Sequence, residues 1–449
     1  MSLEQLTAQL KESGTVGAGG AGFPTYAKLD SRADTVILNC AECEPLFKVH
    51  RQLLERYAFE IVSALCRVAD AVGADTAIVA VKPSYVGAVE AVRALLPSFP
   101  KARLSLLPEI YPAGDEVVLI YETTGRVVPP GGLPIQVGTT VFNVETMLNA
   151  WRFLQSGKPV THKYIMVGGA VKSPVTLYAP IGMAFSELVA QAGGAACGDP
   201  VYVNGGPMTG RIASSCDVVT KTTNAVLVLP RDHYVIQKRL AKTSNSVKRA
   251  MSACCNCRMC TDLCPRNLLG HPIDPQAFMN GLAKQKTDDV KPFLHTFSCS
   301  QCGLCEMFAC GQELSPRTLI GVCKTGLQKS GVKPQRDLPL RPVEPQRAYR
   351  QIPVARLMGR LGLKPYDLPA PLDERPLHTA ALRIGLQQHI GAPAQPQVSV
   401  GDAVAAGQLL ASPPDGALGA PIHCPANGVV EAIGADGIRI KIRQSGNEE

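Results

Sequence analysis

The sequence predicts a multidomain α/β protein, and three observations carry that prediction. Its 449 residues exceed what one hydrophobic core usually organises, so about three domains are expected. The first third alternates strand-like and helix-like segments, a pattern typical of a largely parallel sheet. Beyond it the pattern changes twice, first to two compact cysteine runs and then to short β runs broken by turns.

The first domain is predicted over residues 1–155. Leucines at helical spacing predict a short amphipathic helix over residues 3–12. This helix either packs on its own domain or serves as a docking peptide for a larger assembly. After a glycine-rich stretch, three strands are predicted at TVILN (35–39), TAIVAV (76–81) and RLSLL (103–107), and two helices at 51–71 and 84–96.

The glycine-rich stretch satisfies the letters of the dinucleotide-binding fingerprint. It contains Gly17-x-Gly19-x-x-Gly22, and Glu42 follows at about the expected distance. Its context differs from that fingerprint, because no convincing strand precedes it and a Phe-Pro pair stands where the helix should begin. Small residues still expose backbone N–H groups that can wrap a phosphate or lie against a flat ring, and Lys28 could pair with the phosphate. The alternative is a flexible loop without a ligand.

Three further domains are predicted along the chain. Residues 160–232 hold short β runs broken by Gly and Pro around one helix (183–194), which suggests a compact α+β module. Residues 245–330 carry the cysteine runs. A linker rich in Pro and Arg (333–347) follows, and residues 340–449 continue into short β runs that predict a small all-β domain.

Eight of the sixteen cysteines form two runs of similar spacing. The runs are Cys254-x-x-Cys257-x-x-Cys260-x-x-x-Cys264 and Cys299-x-x-Cys302-x-x-Cys305-x-x-x-x-Cys310. A four-iron cube needs one thiolate for each iron, and two-residue gaps let one tight loop reach three corners. Structural zinc sites, the alternative, usually take two separated C-x-x-C knuckles. The spacing therefore favours two [4Fe-4S] clusters and one-electron chemistry.

The two predicted ligand sets are crossed, because in two-cluster ferredoxins the fourth cysteine of each run ligates the other cluster. They are Cys254, Cys257, Cys260 and Cys310 for one cluster, and Cys299, Cys302, Cys305 and Cys264 for the other. Cys255 could compete for a corner, but the intact C-x-x-C register favours its neighbour. Cys40 and Cys43 form a lone C-x-x-C without a visible partner pair, and a redox or metal role there is the alternative to ordinary thiols. Most of the scattered cysteines are expected to be ordinary buried thiols.

Composition argues against several classes of protein. No segment offers about 18 uncharged apolar residues, so no transmembrane helix is predicted. The first residues lack the apolar core of a signal peptide, and a cytoplasmic location is therefore expected. The net charge of +8 comes without a basic run interleaved with aromatic residues, and it gives no case for binding nucleic acid.

The N-terminal domain resembles a known flavoprotein family. GAGGAGFPTYAKL, then Asn39-Cys-Ala-Glu42-Cys-Glu44-Pro45, YPAGDE, TGRVVPPGGLP and NVET occur in the same order in the flavin-binding subunit of respiratory complex I and in the C subunit of the Rnf ferredoxin:NAD oxidoreductase. The resemblance implies an FMN site that also faces NADH. The implied cofactor-binding residues are Gly17, Gly19, Gly20, Gly22, Lys28, Asn39, Glu42, Glu44, Glu116, Asn143 and Thr146. A catalytic role is implied for Glu42 and Glu116.

The resemblance continues over nearly the whole chain. Residues 160–232 resemble the soluble-ligand-binding β-grasp (SLBB) module, residues 245–330 a ferredoxin-like domain with two [4Fe-4S] clusters, and residues 340–449 the barrel-sandwich hybrid domain of the Rnf subunit. In the Rnf subunit that last domain comes first. The rearranged order resembles the cobalamin reductase family of bacterial propanediol-utilisation microcompartments.

The family resemblance implies a function. Electrons would pass from NADH through FMN and the two clusters to a corrinoid, for use by an adenosyltransferase, inside a microcompartment built from shell proteins. A flavin suits this route because it takes two electrons from a hydride and releases them singly. No D-x-H-x-x-G corrinoid signature is present, so a transient encounter with cobalamin is expected. The alternatives are a peripheral Rnf-type subunit, a non-enzymatic electron-transfer subunit, and a dehydrogenase that feeds a glycyl-radical compartment.

Overall fold

The computed structural model describes residues 1–20, 22–285, 288–335 and 338–443. The last six residues of the predicted C-terminal domain lie outside the described residues. Among those described, no helix is both long enough and apolar enough to cross a membrane. The mixed α/β character that the sequence predicts is confirmed.

The first domain is a parallel sheet covered by helices on both faces. Its elements are α1 (Leu3–Glu12), β1 (Thr35–Cys40), α2 (Val49–Arg56), α3 (Ala58–Val72), β2 (Thr76–Val81), α4 (Val86–Leu95), β3 (Ala102–Leu106), β4 (Ile110–Tyr111), α5 (Glu116–Thr124), β5 (Thr139–Asn143) and α6 (Val144–Ser156). Four strands pair in the order β3-β2-β1-β5, and every pairing is parallel. The three predicted strands are confirmed to within one residue.

The side chains of β1 point alternately to the two faces of the sheet, and each face is covered by its own layer of helices. Val36 and Leu38 point into the core that holds α3 and α6, whereas Ile37 packs against the apolar side chains of α5. A strand with both faces covered reads as a continuous apolar run, which is why TVILN is recognisable in the sequence.

One predicted helix is wrong in its extent. The segment 51–71 is two helices, because Tyr57 leaves helical geometry with φ −124° and ψ 36°. The Tyr57 hydroxyl donates a hydrogen bond of 2.6 Å to Glu374, far along the chain. Helical periodicity continues across the break, so no local pattern in the sequence signals it.

The second domain is a mixed sheet with one helix. Its elements are β6 (His162–Gly169), β7 (Val175–Pro180), α7 (Phe185–Gln191), β8 (Pro200–Asn204), β9 (Arg211–Ala213) and β10 (Ala225–Pro230). The sheet order is β7-β6-β10-β8-β9, with β6 and β10 parallel and the other pairs antiparallel. The predicted helix 183–194 is shorter than expected, and it stops before the Gly-Gly pair at 193–194.

The cysteine domain is helical. Its helices are α8 (Tyr234–Leu240), α9 (Thr243–Ala253), α10 (Met259–Asp262), α11 (Pro265–Leu268), α12 (Pro275–Ala283), α13 (Lys291–Leu294) and α14 (Pro316–Lys329). A π-helical turn, Cys305–Ala309, lies between the last two. The small core of this domain contains Phe278, Met279 and Ile320, with four of the run cysteines packed around it.

The chain then returns to the first two domains before it forms the last one. Its remaining elements are β11 (Ile352–Pro353), α15 (Val354–Arg360), β12 (Leu372–Asp373), β13 (Ala381–Ile384), β14 (Gln395–Pro396), β15 (Ala403–Val404), β16 (Leu409–Ser412), β17 (Ile422–His423), β18 (Gly428–Gly434) and β19 (Gly437–Ile442). Strand β11 pairs with β4, and β12 adds to the β-grasp sheet beside β7. The last seven strands form two small sheets, β13-β19-β18-β15 and β14-β16-β17.

Candidate functional site

A cavity of about 230 Å³ lies at the carboxyl edge of the parallel sheet. The register of β1 and β5 pairs Asn39 with Asn143, the last residue of β5, so the two amides lie side by side at this edge. In open α/β sheets, ligands bind outside the carboxyl ends of the strands. Among the predicted cofactor-binding residues, Gly19, Asn39, Glu42, Glu44 and Asn143 line the cavity.

Asn143 is fixed by both ends of its side chain. Its Oδ1 accepts a hydrogen bond of 2.9 Å from the backbone N–H of Glu145, which caps α6. Its amide nitrogen is therefore the donor in the 3.0 Å contact with Nε2 of His50. Burial lowers the pKa of His50, so a neutral ring with an accepting Nε2 fits this contact. His50 also lines the cavity, and sequence reasoning missed it because a lone histidine carries no motif.

The glycine loop is held against the start of α6. The hydroxyl of Thr146 accepts from the N–H of Ala18 at 3.0 Å and donates to the carbonyl of Val16 at 3.2 Å. Gly20 has φ +114°, and no described atom lies within 4 Å of the position that a Cβ would take. The backbone at Gly20 can thus approach a flat ring or a phosphate closely. Thr146 supports the loop rather than lining the cavity.

Gly17 and Gly22 close the glycine loop. The N–H of Gly22 donates to the carbonyl of Gly17 at 3.1 Å. Gly22 has φ +66°, and a Cβ there would lie 2.9 Å from Thr222 and 3.3 Å from the backbone of His389. A side chain at this position would therefore clash with the second and the last domains.

Lys28 and Glu116 are paired with each other. Nζ of Lys28 lies 3.1 Å from Oε1 of Glu116 and also donates to the carbonyl of Val141 at 3.1 Å. Both side chains are part-exposed and lie outside the cavity lining. The phosphate-binding role of Lys28 and the catalytic role of Glu116 stay predictions.

The carboxylate of Glu42 is enclosed by the start of α2. It accepts from the N–H of His50 at 2.8 Å and from Nε of Arg51 at 3.2 Å, and its side chain is 1% exposed. Burial by itself raises the pKa of this carboxyl, but the charge of Arg51 and the hydrogen bonds outweigh burial and hold it below its usual value. This geometry gives Glu42 a structural task, and its catalytic role stays a prediction.

Glu44 lines the cavity and connects it to the β-grasp domain by hydrogen bonds. Its carboxylate accepts hydrogen bonds from the N–H of Met208 (2.8 Å), the N–H of Thr209 (2.7 Å) and the Thr209 hydroxyl. Burial raises the pKa of Glu44 despite these donors. Thr209 and Asn224, both from the second domain, also line the cavity. The sequence could not reveal them, since no pattern links them to the glycine loop.

A buried ion pair joins the same two domains below the cavity. Nζ of Lys163 contacts Glu145 Oε2 and donates to Oδ1 of Asn224 at 2.7 Å. The two charged side chains are 1% and 0% exposed. Burial lowers the pKa of Lys163, although the charge of Glu145 opposes that effect. The pair thus fixes Asn224 in the cavity wall.

The opposite wall of the cavity belongs to the cysteine domain. Ser300 and Cys302 line it. The hydroxyl of Tyr111 donates a hydrogen bond to the backbone carbonyl of Cys302, and Tyr111 itself lines the cavity. A residue of the second cysteine run therefore lines this cavity, which is the predicted flavin site.

The eight run cysteines lie in two groups with the same members as the crossed sets, and their role as cluster ligands stays a prediction. Burial raises the pKa of Cys260 to about 12, and the nearby thiols of Cys310, Cys257 and Cys254 add to this effect. Burial likewise raises the pKa of Cys305 well above its usual value, and the nearby thiols of Cys299, Cys302 and Cys264 add to it. The first group lines a cavity of about 350 Å³ together with Cys255.

Both cysteine loops adopt the same unusual backbone. Asn256 and Gln301, each two residues after the first cysteine of its run, have φ +56° and +59°. The residues after the second cysteines, Arg258 and Gly303, have φ +63° and +84°. Such strain persists in side-chain-bearing residues only where the surroundings require it, and these turns bring the cysteines of each run together. Both loops thus fit a cube.

The cysteines of the two runs differ in exposure. Cys255 and Cys257 are exposed, whereas Cys305 is buried. Within the described ranges, no three His, Cys, Asp or Glu side chains come close enough to hold one metal ion. The ligands of a cube bind four different irons and stand further apart than those of one ion.

Family models match four parts of the chain. The Nuo51 FMN-binding domain matches residues 10–152, the SLBB domain 164–212, the 4Fe-4S dicluster domain 253–315 and the RnfC barrel sandwich hybrid domain 369–441. These matches confirm the predicted fold class. They identify the chain as a flavin- and iron–sulfur-domain protein.

Relatives of the chain differ in how much of it they share. The cobalamin reductase PduS of Salmonella typhimurium is 41% identical over 98% of this chain and 97% of its own length. The C subunit of the Na⁺-translocating ferredoxin:NAD⁺ oxidoreductase complex of Acetobacterium woodii is 31% identical over 60% of this chain and 59% of its own.

A solved structure shares the fold. The crystal structure of an NAD⁺-reducing [NiFe]-hydrogenase in the H₂-reduced state is similar with a TM-score of 0.51, at 21% identity over 76% of this chain and 65% of that one. At that identity the likeness concerns the fold alone. The near-complete, 41% identical match decides the assignment: the chain belongs to the family of the cobalamin reductases PduS, oxidoreductases with an FMN-binding domain and an iron–sulfur domain.

Proposed function

We propose that this protein is an NADH-dependent cobalamin reductase in which electrons pass from NADH through FMN and two [4Fe-4S] clusters to a corrinoid. The observation that carries the proposal is the shared wall of the flavin-site cavity. Cys302, a predicted cluster ligand, lines the same cavity as Gly19, Asn39 and Asn143. Bound FMN supplies the conversion of a two-electron hydride into single electrons, and each cube supplies a one-electron carrier.

The residues of the cavity have separate tasks in this proposal. Gly19 and Gly20 let the backbone approach the flavin, and Asn39 and Asn143 line the cavity at the edge of the sheet. Thr146 holds the glycine loop in place. The β-grasp domain closes one side with Thr209, so the flavin site is shared between two domains.

The positions of the cysteine groups support an order of electron transfer. The group of Cys299, Cys302, Cys305 and Cys264 lies next to the flavin-site cavity. The group of Cys254, Cys257, Cys260 and Cys310 is the more exposed one. We assign the first of these groups to the entry cluster, which accepts electrons from the flavin. The other group holds the exit cluster, from which electrons leave the protein.

The acceptor and the setting follow from the family. Cobalamin is the substrate in the name of the 41% identical relative. We propose that the corrinoid meets the exposed exit cluster transiently, and that an adenosyltransferase consumes the reduced product. A location inside a microcompartment, in contact with shell proteins, belongs to the same proposal.

The test is an anaerobic NADH titration of the purified, iron- and flavin-loaded protein. NADH should bleach the flavin absorption and the broad visible iron–sulfur band, and hydroxocobalamin should restore both. In Cys302→Ser the flavin should still bleach while the iron–sulfur band persists. Cys323→Ser is the matched control, because Cys323 lies in the same domain outside both groups, and it should behave as the wild type.

Other outcomes would replace the proposal. Iron and sulfide without flavin or NADH oxidation would indicate an electron-transfer subunit. Reoxidation by ferredoxin, with no reaction of hydroxocobalamin, would favour an Rnf-type role.

A further inference from the structure

A bidentate ion pair bridges the flavin domain and the cysteine domain. Nε and Nη2 of Arg266 donate to Oδ1 and Oδ2 of Asp115, each at 3.0 Å. The side chains are 18% and 9% exposed. Planar two-point contacts of this kind are strong and orient both partners. The pair lies at the wall of the flavin-site cavity, which Asp115 lines.

Each end of the pair lies at a functional position. Asp115 also caps α5, accepting from the N–H of Val117 at 3.1 Å. Arg266 comes two residues after Cys264, a ligand assigned to the entry cluster. Asp115 lines the same cavity as Cys302, another ligand assigned to the entry cluster. Two opposite charges thus lie beside the cysteines of that cluster in a largely buried position.

We propose that the Arg266–Asp115 pair sets the midpoint potential of the entry cluster while it fixes that cluster against the flavin site. This inference rests on the proposed function, since it presupposes a cluster on the second cysteine group. A nearby positive charge stabilises the reduced, more negative cluster, and a nearby negative charge destabilises it. Charge and burial are among the features that set cluster potentials. Both residues are positioning residues.

The two halves of the pair predict shifts of opposite sign. Arg266→Gln removes the positive charge and leaves the carboxylate, so the entry cluster should become harder to reduce. Asp115→Asn removes the negative charge and leaves an unpaired guanidinium, so the same cluster should become easier to reduce. A purely structural bridge would instead be loosened in the same way by either change. The sign of the shift therefore separates electrostatic tuning from simple docking.

The experiment is an anaerobic redox titration followed by electron paramagnetic resonance on the full, cluster-loaded chain. Each variant should move one of the two cluster potentials, Arg266→Gln downward and Asp115→Asn upward. A tenfold change in the one-electron equilibrium corresponds to about 59 mV, and a shift of that order is expected. Cys264→Ser identifies the signal that belongs to the entry cluster. Arg266→Lys keeps the charge and should keep most of the potential.

A second buried bridge serves as the matched control. Arg347, from the segment before β11, pairs with Glu122 on α5, and these side chains are 11% and 16% exposed. Glu122→Gln removes a comparable buried charge. Neither Glu122 nor Arg347 lies within two positions of a run cysteine, as Arg266 does, so this variant should leave both cluster potentials unchanged. If Glu122→Gln shifts the same potential, the effect is a general loosening of the domains and the inference fails.

The outcomes also separate this inference from the proposed function. If both Asp115→Asn and Arg266→Gln shift the potential in one direction, or neither shifts it, the inference is overturned while the clusters and the proposed function stand. If the wild-type protein holds no cluster iron and sulfide, both are overturned. Should Arg266→Gln fail to assemble its clusters, Asp115→Asn decides, because an unchanged or lowered potential there contradicts the inference.

Discussion

Lys163→Met should destabilise the protein far more than the loss of an exposed ion pair. The substitution leaves the carboxylate of Glu145 with 0% exposure and with the N–H of Tyr164, at 3.0 Å, as its donor. Removing one partner of a buried ion pair costs about 3–5 kcal/mol, because the other charge stays buried without compensation. The contact with Asn224 is lost as well.

The assay is urea unfolding at pH 8 followed by circular dichroism. Arg231→Ala is the control, since its pair with Asp199 is 2.7 Å long but 54% and 63% exposed, and such pairs contribute about 0–1 kcal/mol. The double variant Glu145→Leu/Lys163→Met removes both charges and should recover most of the loss.

Two results would refute this reasoning. A Lys163→Met variant that loses less than about 1 kcal/mol would show that the pair contributes no more than a surface pair. A double variant that is less stable than either single variant would show that packing, and not the buried charge, dominates.

Three further predictions concern the cavity and its surroundings. In Tyr111→Phe, NADH should bleach the flavin normally, but stopped-flow should show slower reduction of the clusters because the hydrogen bond to Cys302 is lost. A wild-type rate of cluster reduction would contradict this. Asn143→Ala should lower stability by about 0.5–2 kcal/mol through the lost cap and weaken FMN binding in a fluorescence titration, while His50→Asn should weaken FMN binding less. Burial lowers the pKa of Lys221 to about 7, whereas the unfolded chain holds that proton up to roughly pH 10.4. Between these pH values the unfolded state binds more protons, so the stability of the wild type, measured by urea midpoints, should rise from pH 7 to about pH 10. An equal rise in Lys221→Met would contradict this prediction.

Much of the first domain is predictable because its signals are local. Buried parallel strands appear as apolar runs, so the predicted strand 76–81 has its observed bounds. The spacing of the cysteines predicts two clusters, and the crossed ligand sets, taken from the pattern of two-cluster ferredoxins, stay a prediction. The break at Tyr57 escapes prediction because helical periodicity continues across it. The contact of its hydroxyl with Glu374, more than three hundred residues away, leaves no local pattern either.

The missing parts of the site come from other domains. Thr209 and Asn224 line the cavity only because the β-grasp sheet packs beside the flavin domain, and no spacing in the chain encodes that packing. The segment after the predicted linker supplies β11 and β12, which pair with strands of the first two domains. Lys28 is expected at a phosphate, but its ion pair with Glu116 depends on the approach of β5 and α5. These contacts join segments that are far apart in the sequence, and no local pattern indicates them.

The most direct test of the account is the order of electron transfer through the two clusters. After anaerobic mixing with NADH and hydroxocobalamin, the wild type should reduce flavin, clusters and corrinoid in turn. Cys257→Ser, which alters the exit cluster, should still reduce its flavin and the entry cluster but fail to reduce the corrinoid. If this variant reduces cobalamin at the wild-type rate, the exposed cysteine group is not the exit and the central claim is wrong.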